Sequence, residues 1–345
     1  MNRRQFLATT VAATFARAAE EPPRIRIAQV GTAHSHAAGK MEAIRALPEI
    51  YEVAGIAEAD EKRRVAAEKA AAFSGLSWRT EAELLADKSI RAVIVESTLA
   101  DSPRAALAAI RAGKHVHLDK PGAADHAEFR TMRNEAEQRG LTVQMGYMLR
   151  YNPAFELLFR AAREGWLDDI TEIDASMGKL LPDSQLAKMR EYPGGGMFEL
   201  ACHIVDAVVT LLGKPAAIHA FSKSTRANDF PDNQLAVLEY PRATVTLRCN
   251  HGDPFGGPHR RFAVTGTKGA MELQPLESGK GILRLTEPRG DFPKGETALA
   301  LKVPADRYAG EFSDFARIIR GEKKLAWDAT HDIAVHETAL RAAGI

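Results

Sequence analysis

A lysine, a histidine and several carboxylates are side chains that could move protons in a site. Lys120 follows Asp119 at the end of the short run His115-Val116-His117-Leu118. Glu199 and His203 lie four residues apart, with Asp206 three further on, so one helix through them carries all three on one face. Their neighbours Leu200, Ile204, Val205 and Val208 are apolar. Three ionisable groups on so apolar a helix require partners or a wet cavity. Gly194, Gly195 and Gly196 precede them and permit an unusual backbone with close approach of a ligand. Histidine titrates near neutrality, and burial can bring a lysine down toward it. Lys120 and His203 are therefore groups that could exchange a proton.

The elements that must position these groups alternate along the first half. Runs at 24–30, 51–57, 92–95, 115–118 and 141–145 read as strands, and those at 37–47, 61–73, 103–112 and 124–139 as helices. Such alternation predicts an α/β fold with a parallel, doubly wound sheet whose ligands bind beyond the carboxyl ends of the strands. The loop after the first strand is Gly31-Thr32-Ala33-His34-Ser35-His36. Measured against the dinucleotide pattern Gly-x-Gly-x-x-Gly, the first glycine is present, Ala33 is a small change and His36 a large one. Glu58 ends the second strand, where a carboxylate would bind a ribose hydroxyl and favour NAD over NADP. Lys62, Arg63 and Arg64 follow closely and could receive a 2′-phosphate instead.

His34-Ser35-His36 could also hold a metal at a strand end. The later strands end in Ser97-Thr98, Asp119-Lys120 and Gly146, so only Asp119 could join them, and Lys120 beside it would oppose a cation. No metal is assigned.

Composition narrows the field. The chain has 345 residues, which at about 150 per domain suggests about two domains. Hydrophobic residues are 45% and charged residues 26%, the mixture of a globular protein with a sizeable core. Lys plus Arg number 46 against 45 Asp plus Glu, a balance that gives no reason to expect nucleic acid as partner. Cys202 and Cys249 permit one disulfide at most. No apolar run approaches the ~20 residues needed to span a bilayer, so no stable membrane insertion is expected.

Three stretches resemble one family. Gly113-Lys114-His115-Val116-His117-Leu118-Asp119-Lys120-Pro121 is similar to the Gly-Lys-His-Val…Glu-Lys-Pro signature of the Gfo/Idh/MocA oxidoreductases. Gly146 to Pro153 resembles the family's segment between its two domains, and Gly194 to Asp206 its glycine-rich helix start with acid, histidine and acid. The resemblance implies hydride transfer between a carbohydrate hydroxyl and NAD or NADP. The resemblance makes Lys120 and His203 the catalytic pair at the reacting hydroxyl, with Lys120 as general base or proton shuttle, while Arg150, Tyr151, Glu199 and Asp206 orient other hydroxyls. Gly31, Thr32, Ala33, His34, Ser35, Glu58, Ser97, Thr98, Asp119 and Lys120 would hold the cofactor. Asp119 and Glu199 depart from the family's usual Glu and Asp, shifting each carboxylate by one methylene.

The remaining chain completes the expected architecture. Runs at 170–177, 217–223, 235–240, 243–249, 260–265 and 270–273 predict a mostly antiparallel open sheet, and 152–164, 198–212, 308–320 and 328–343 predict helices. Residues 180–193 read as a polar loop that could lie over the site. The expected division is a Rossmann domain over 22–146 and an α+β domain for substrate binding and oligomerisation over 147–345. The resemblance is compatible with a homodimer or homotetramer. Residues 1–18 read as a twin-arginine signal: Arg3-Arg4, then Phe6-Leu7, an uncharged stretch, and a small-residue cleavage site at Ala16-Arg17-Ala18.

The expectation is thus an exported, periplasmic, NAD(P)-dependent oxidoreductase acting on a sugar, a polyol or a related carbohydrate. Free nicotinamide is not expected there, so the cofactor would be tightly retained. Two alternatives share the residues. One is an NAD-dependent glycosidase or lyase that oxidises a sugar carbon transiently; the other is a cofactor-free carbohydrate-binding homologue.

Overall fold

The computed structural model describes residues 22–345; the expected export signal lies outside the described residues. Five parallel strands form the first sheet: β1 (Ile25–Val30), β2 (Tyr51–Ala57), β3 (Ala92–Val95), β4 (His115–Leu118) and β5 (Val143–Met145). Their order is β2-β1-β3-β4-β5, so the direction of winding reverses beside β1. Every residue of β3 is buried, as a central strand covered on both faces requires. Ser102–Arg111 and His126–Gln138 pack on one face through Ala106, Ile110 and Phe129, while Ala37–Arg45 packs on the other.

The second sheet has eight strands: β6 (Ile170–Gly178), β7 (Ala217–Lys223), β8 (Asn233–Glu239), β9 (Thr244–Asn250), β10 (Arg261–Gly266), β11 (Gly269–Leu273), β12 (Lys280–Leu285) and β13 (Gly295–Ala300). Only β6 and β9 pair in parallel; all other neighbours are antiparallel. Helices Pro153–Arg163, Cys202–Leu212 and Ala329–Ala342 share the core on its inner face, through Phe155, Ile204 and Val335 against Ala175, Val245 and Phe262. Asn152 caps the first of these by accepting from Ala154 N at 3.0 Å, and Pro153 presets its opening φ.

Several boundaries differ from expectation. The helix expected over 61–73 ends at Glu68 and resumes as a 3₁₀ turn at Ala71–Phe73, and a short helix at Glu81–Ala86 starts from a Thr80/Glu83 capping box. The expected loop at 180–193 contains a helical turn at Leu186–Met189. The helix expected over 198–212 is interrupted after Glu199 and restarts at Cys202. Most consequential is Ala309–Ile319, which leaves the second region and returns to the first sheet. There Phe312, Phe315 and Ile319 bury against Ile25, Ile27 and Ile94. Tyr51 Oη donates to Phe312 O at 2.7 Å, and Gln144 Nε2 to Glu311 O at 2.8 Å. The first domain is therefore completed by a helix from far down the chain.

Candidate active site

A cleft of about 470 Å³ opens at the carboxyl ends of β1, β2 and β3, lined by Gly31, Ala33, Glu58, Arg63, Ser97 and Thr98. Gly31 has φ +87°, and a Cβ there would come within 2.7 Å of the Ser97 backbone, so only glycine fits this turn. Thr32 donates to Glu58 Oε2 through both its N–H and its hydroxyl, each at 2.8 Å. Glu58 Oε1 accepts from Asp60 N at 2.9 Å and Arg63 Nε at 3.2 Å. Burial opposes this carboxylate's charge, but the Asp60, Arg63 and Thr32 donors prevail and hold its pKa below the usual range. Thr98 Oγ1 donates to Asp101 Oδ2 at 2.8 Å, fixing the loop after β3, while Ser35 is exposed. A glycine turn, a fixed acid at the second strand's end and an open cleft between them fit a dinucleotide.

The altered part of the glycine loop turns inward. His34 Nδ1, His36 Nδ1 and Lys40 Nζ surround one oxygen, Asp119 Oδ2, at 3.0, 2.9 and 2.7 Å. Asp119 Oδ1 accepts the Lys120 backbone N–H at 2.7 Å. Lys40, fully buried, also lies 3.0 Å from Glu96 Oε1. Burial opposes charge on His34, yet Asp119 and Glu96 raise its pKa to about 9. Ligand atoms of His34, His36 and Asp119 are close enough for a metal. An ammonium already supplies the positive charge, however, and a protonated imidazole offers a metal no lone pair. Asp119, expected among the cofactor contacts, instead has its carboxylate engaged in this buried network.

Lys120 sits just beyond β4, after which the chain passes through a cis bond to Pro121. Its Nζ donates to Glu199 O at 2.7 Å and lies 3.2 Å from Glu199 Oε1. The other carboxylate oxygen, Oε2, receives Lys179 Nζ at 3.2 Å. The break in the helix makes this possible. Glu199 belongs to the turn Gly196–Glu199, and His203 N turns to Leu200 O at 3.4 Å, leaving the Glu199 carbonyl free for Lys120. Glu199 and His203 are thus near one another without sharing one continuous helix.

Charge states follow from these contacts. Burial works against the Lys120 ammonium, but Glu199, with smaller help from Asp119, outweighs it and holds the pKa above the usual lysine range. Burial alone does not bring this lysine toward neutrality, because the carboxylate beside the amine prevails over desolvation. His203 goes the other way, because burial and then the nearby Lys120 and His36 push its pKa well below the ordinary value. Among the described residues its Nδ1 has no hydrogen-bond partner, and Tyr147 packs edge-on at 5.8 Å. The site pairs an ammonium with a neutral imidazole.

Arg150 and Asp206 have a different employment from the expected orientation of substrate. Arg150 Nη2 binds Asp206 Oδ1 at 2.6 Å and Asp332 Oδ1 at 2.7 Å, with its guanidinium sandwiched between the Tyr147 and Trp327 rings. His331 Nε2 reaches Asp206 Oδ1 at 3.0 Å, and Arg133 Nη2 reaches Asp332 Oδ2 at 2.8 Å. This is a buried ionic knot joining four segments of the chain. Tyr151 donates to Asp314 Oδ2 at 3.2 Å and packs edge-on to Trp327, apart from the Lys120 contacts. Sequence reasoning missed Lys40, Lys179, His251 and Asp332. For Lys40 a signal existed: it stands one helical turn after His36, on the same face.

Residues 25–147 match the model described as "Oxidoreductase family, NAD-binding Rossmann fold", and residues 155–272 match the GFO/IDH/MocA C-terminal domain. Among curated relatives, the scyllo-inositol 2-dehydrogenase (NADP(+)) IolW of Bacillus subtilis is 28% identical over 59% of this chain and 57% of its own length. The D-xylose 1-dehydrogenase (NADP(+)) 2 of Haloferax volcanii is 26% identical over 84% of this chain and 87% of its own. The chain thus matches under three-fifths of the first of these relatives. Among solved structures, the WlbA dehydrogenase of Bordetella pertussis in complex with NADH and UDP-GlcNAcA superposes with a TM-score of 0.79 at 19% identity, covering 93% of this chain and 96% of that one. Levoglucosan dehydrogenase in complex with NADH and levoglucosan gives a TM-score of 0.78 at 18% identity, covering 93% and 98%. With both of its regions matched in order, the chain belongs to the Gfo/Idh/MocA oxidoreductase family.

Proposed function

We propose that this protein oxidises a hydroxyl group of a sugar, a polyol or a related carbohydrate, using NAD or NADP held in the cleft beyond β1, β2 and β3. The observation that carries the reading is the Lys120 ammonium, fixed by both the carbonyl and the carboxylate of Glu199 near a neutral His203. The bound nicotinamide would supply the hydride acceptor. Lys120 would donate a hydrogen bond to the reacting oxygen and stabilise negative charge developing on it. His203 would take the hydroxyl proton, which a neutral imidazole can do and an imidazolium cannot. Glu199 holds Lys120 in place and keeps it charged. The relatives named for scyllo-inositol, D-xylose and levoglucosan favour a cyclic polyol or sugar as substrate.

The reading includes export by the twin-arginine route, carried by Arg3-Arg4 and the small-residue site at Ala16-Arg17-Ala18. Tight cofactor retention goes with it. Lys188, on the segment before the glycine-rich turn, donates to Ala33 O at 3.2 Å and so ties that segment to the cofactor loop.

The test begins with protein purified without added nucleotide. Denaturation and mass spectrometry of the supernatant should find near-stoichiometric NAD(H) or NADP(H), and carbohydrates should then reduce the bound cofactor in the intact protein. Cleavage of a glycoside with no net change in cofactor would transfer the same residues to redox-assisted elimination. Absence of nucleotide, together with no binding on its addition, would sink both enzyme readings.

A further inference from the structure

Resting on the oxidoreductase reading above, we propose that the substrate is an acidic sugar, and that Lys179 binds its carboxylate. Glu199 is one carboxylate between two ammonium groups, with Lys120 on Oε1 and Lys179 on Oε2, both at 3.2 Å. The two lysines are not equivalent. The Lys120 side chain is 3% exposed, whereas that of Lys179 is 33% exposed, so Lys179 forms the open edge of the pair. His251 adds a polar group: its buried Nε2, without a hydrogen-bond partner among the described residues, stands 3.9 Å from the same Oε2.

The nearby carboxylates do not restore the balance. Asp119 is engaged with Lys40, His34 and His36, Asp206 with Arg150, and Asp232 with Arg226. Around Glu199, among the described residues, one positive charge therefore remains without a partner. Lys179 is also firmly placed. It follows the last residue of β6, its N–H donates to Asn250 O at 3.1 Å, and a Cβ on Gly256 would sit 2.6 Å from its nitrogen. A single ammonium on a fixed backbone suits a monoanionic carboxylate. A phosphate monoester carries about two negative charges and would exceed the single positive charge left over here.

The experiment uses the cofactor-loaded enzyme and matched pairs: glucose, galactose and mannose against glucuronate, galacturonate and mannuronate. Turnover is read as NAD(P)H formation and binding by calorimetry. The expected result is at least tenfold higher kcat/KM for one acid than for its neutral partner. Lys179→Met should erase that preference mainly through KM, and Lys179→Arg should keep most of it. Neutral sugars oxidised as well as their acids would overturn the acidic substrate and leave the oxidoreductase standing. Selective binding of an acid without oxidation would do the reverse. No binding of any acid would overturn the proposal, and Lys179→Met showing an unchanged preference would do so as well.

Discussion

Lys120 Nζ donates to the main-chain carbonyl of Glu199 at 2.7 Å, an acceptor that an unbroken helix would have paired with the N–H of His203. A residue after β4 and a turn in the second region are thereby fastened at the point where chemistry is expected. The amine is positioned twice by one residue, through its carbonyl and its carboxylate.

Replacing Lys120 by methionine should keep the shape of the site and remove its charge. The expected loss in turnover is about 10²–10³-fold, with cofactor still bound. Single-turnover formation of NAD(P)H, beside quantitation of released nucleotide, separates these effects. An activity within threefold of the parent would remove Lys120 from the mechanism.

Cofactor choice should depend on Glu58. Its carboxylate is fixed by Thr32, Asp60 and Arg63, and its charge opposes a 2′-phosphate. In Glu58→Gln that repulsion is gone and Arg63 is released. Affinity should move toward NADP by about tenfold, roughly 1.4 kcal/mol. Fluorescence titration of nucleotide-free protein with NADH and NADPH would show it, and an unchanged ratio would refute it.

The ionic knot should govern stability. Arg150→Met leaves Asp206 and Asp332 buried with less compensation, a defect worth about 3–5 kcal/mol. Tm should fall by on the order of 10 °C. A loss of catalysis with Tm unchanged would return Arg150 to the substrate site.

His34 ties stability to pH. Its folded pKa is raised to about 9, against an ordinary value of 6.5. Its contribution is therefore complete below about pH 6.5 and disappears as pH rises through about 9. Urea unfolding of wild type and His34→Gln should differ most near pH 6 and converge near pH 10. A gap that widens with pH would reverse the assignment.

What the sequence revealed depended on how local the cause was. Strands such as Ala92–Val95 announced themselves by composition, and Gly31 by its place after β1. β12 and β13 were missed because they lie toward one edge of the second sheet, where β13 is mostly exposed and shows no clean alternation. The break after Glu199 has no proline or glycine at Leu200 or Ala201 to mark it. The carbonyl it leaves over is taken by Lys120, 79 residues away. The partnership of Arg150 with Asp206 and Asp332 spans 56 and 182 residues, beyond the reach of any spacing rule. Chemistry-bearing residues were recognisable by type; which of them touch was decided by tertiary structure.

The return of Ala309–Ile319 to the first sheet makes the two halves poor candidates for exchange as modules. A fragment ending at residue 146 would leave Ile25, Ile27 and Ile94 without Phe312, Phe315 and Ile319. The exposed face would favour aggregation over autonomous folding. Recombination within this family would therefore have to carry the dinucleotide lobe together with a helix encoded more than 160 residues downstream.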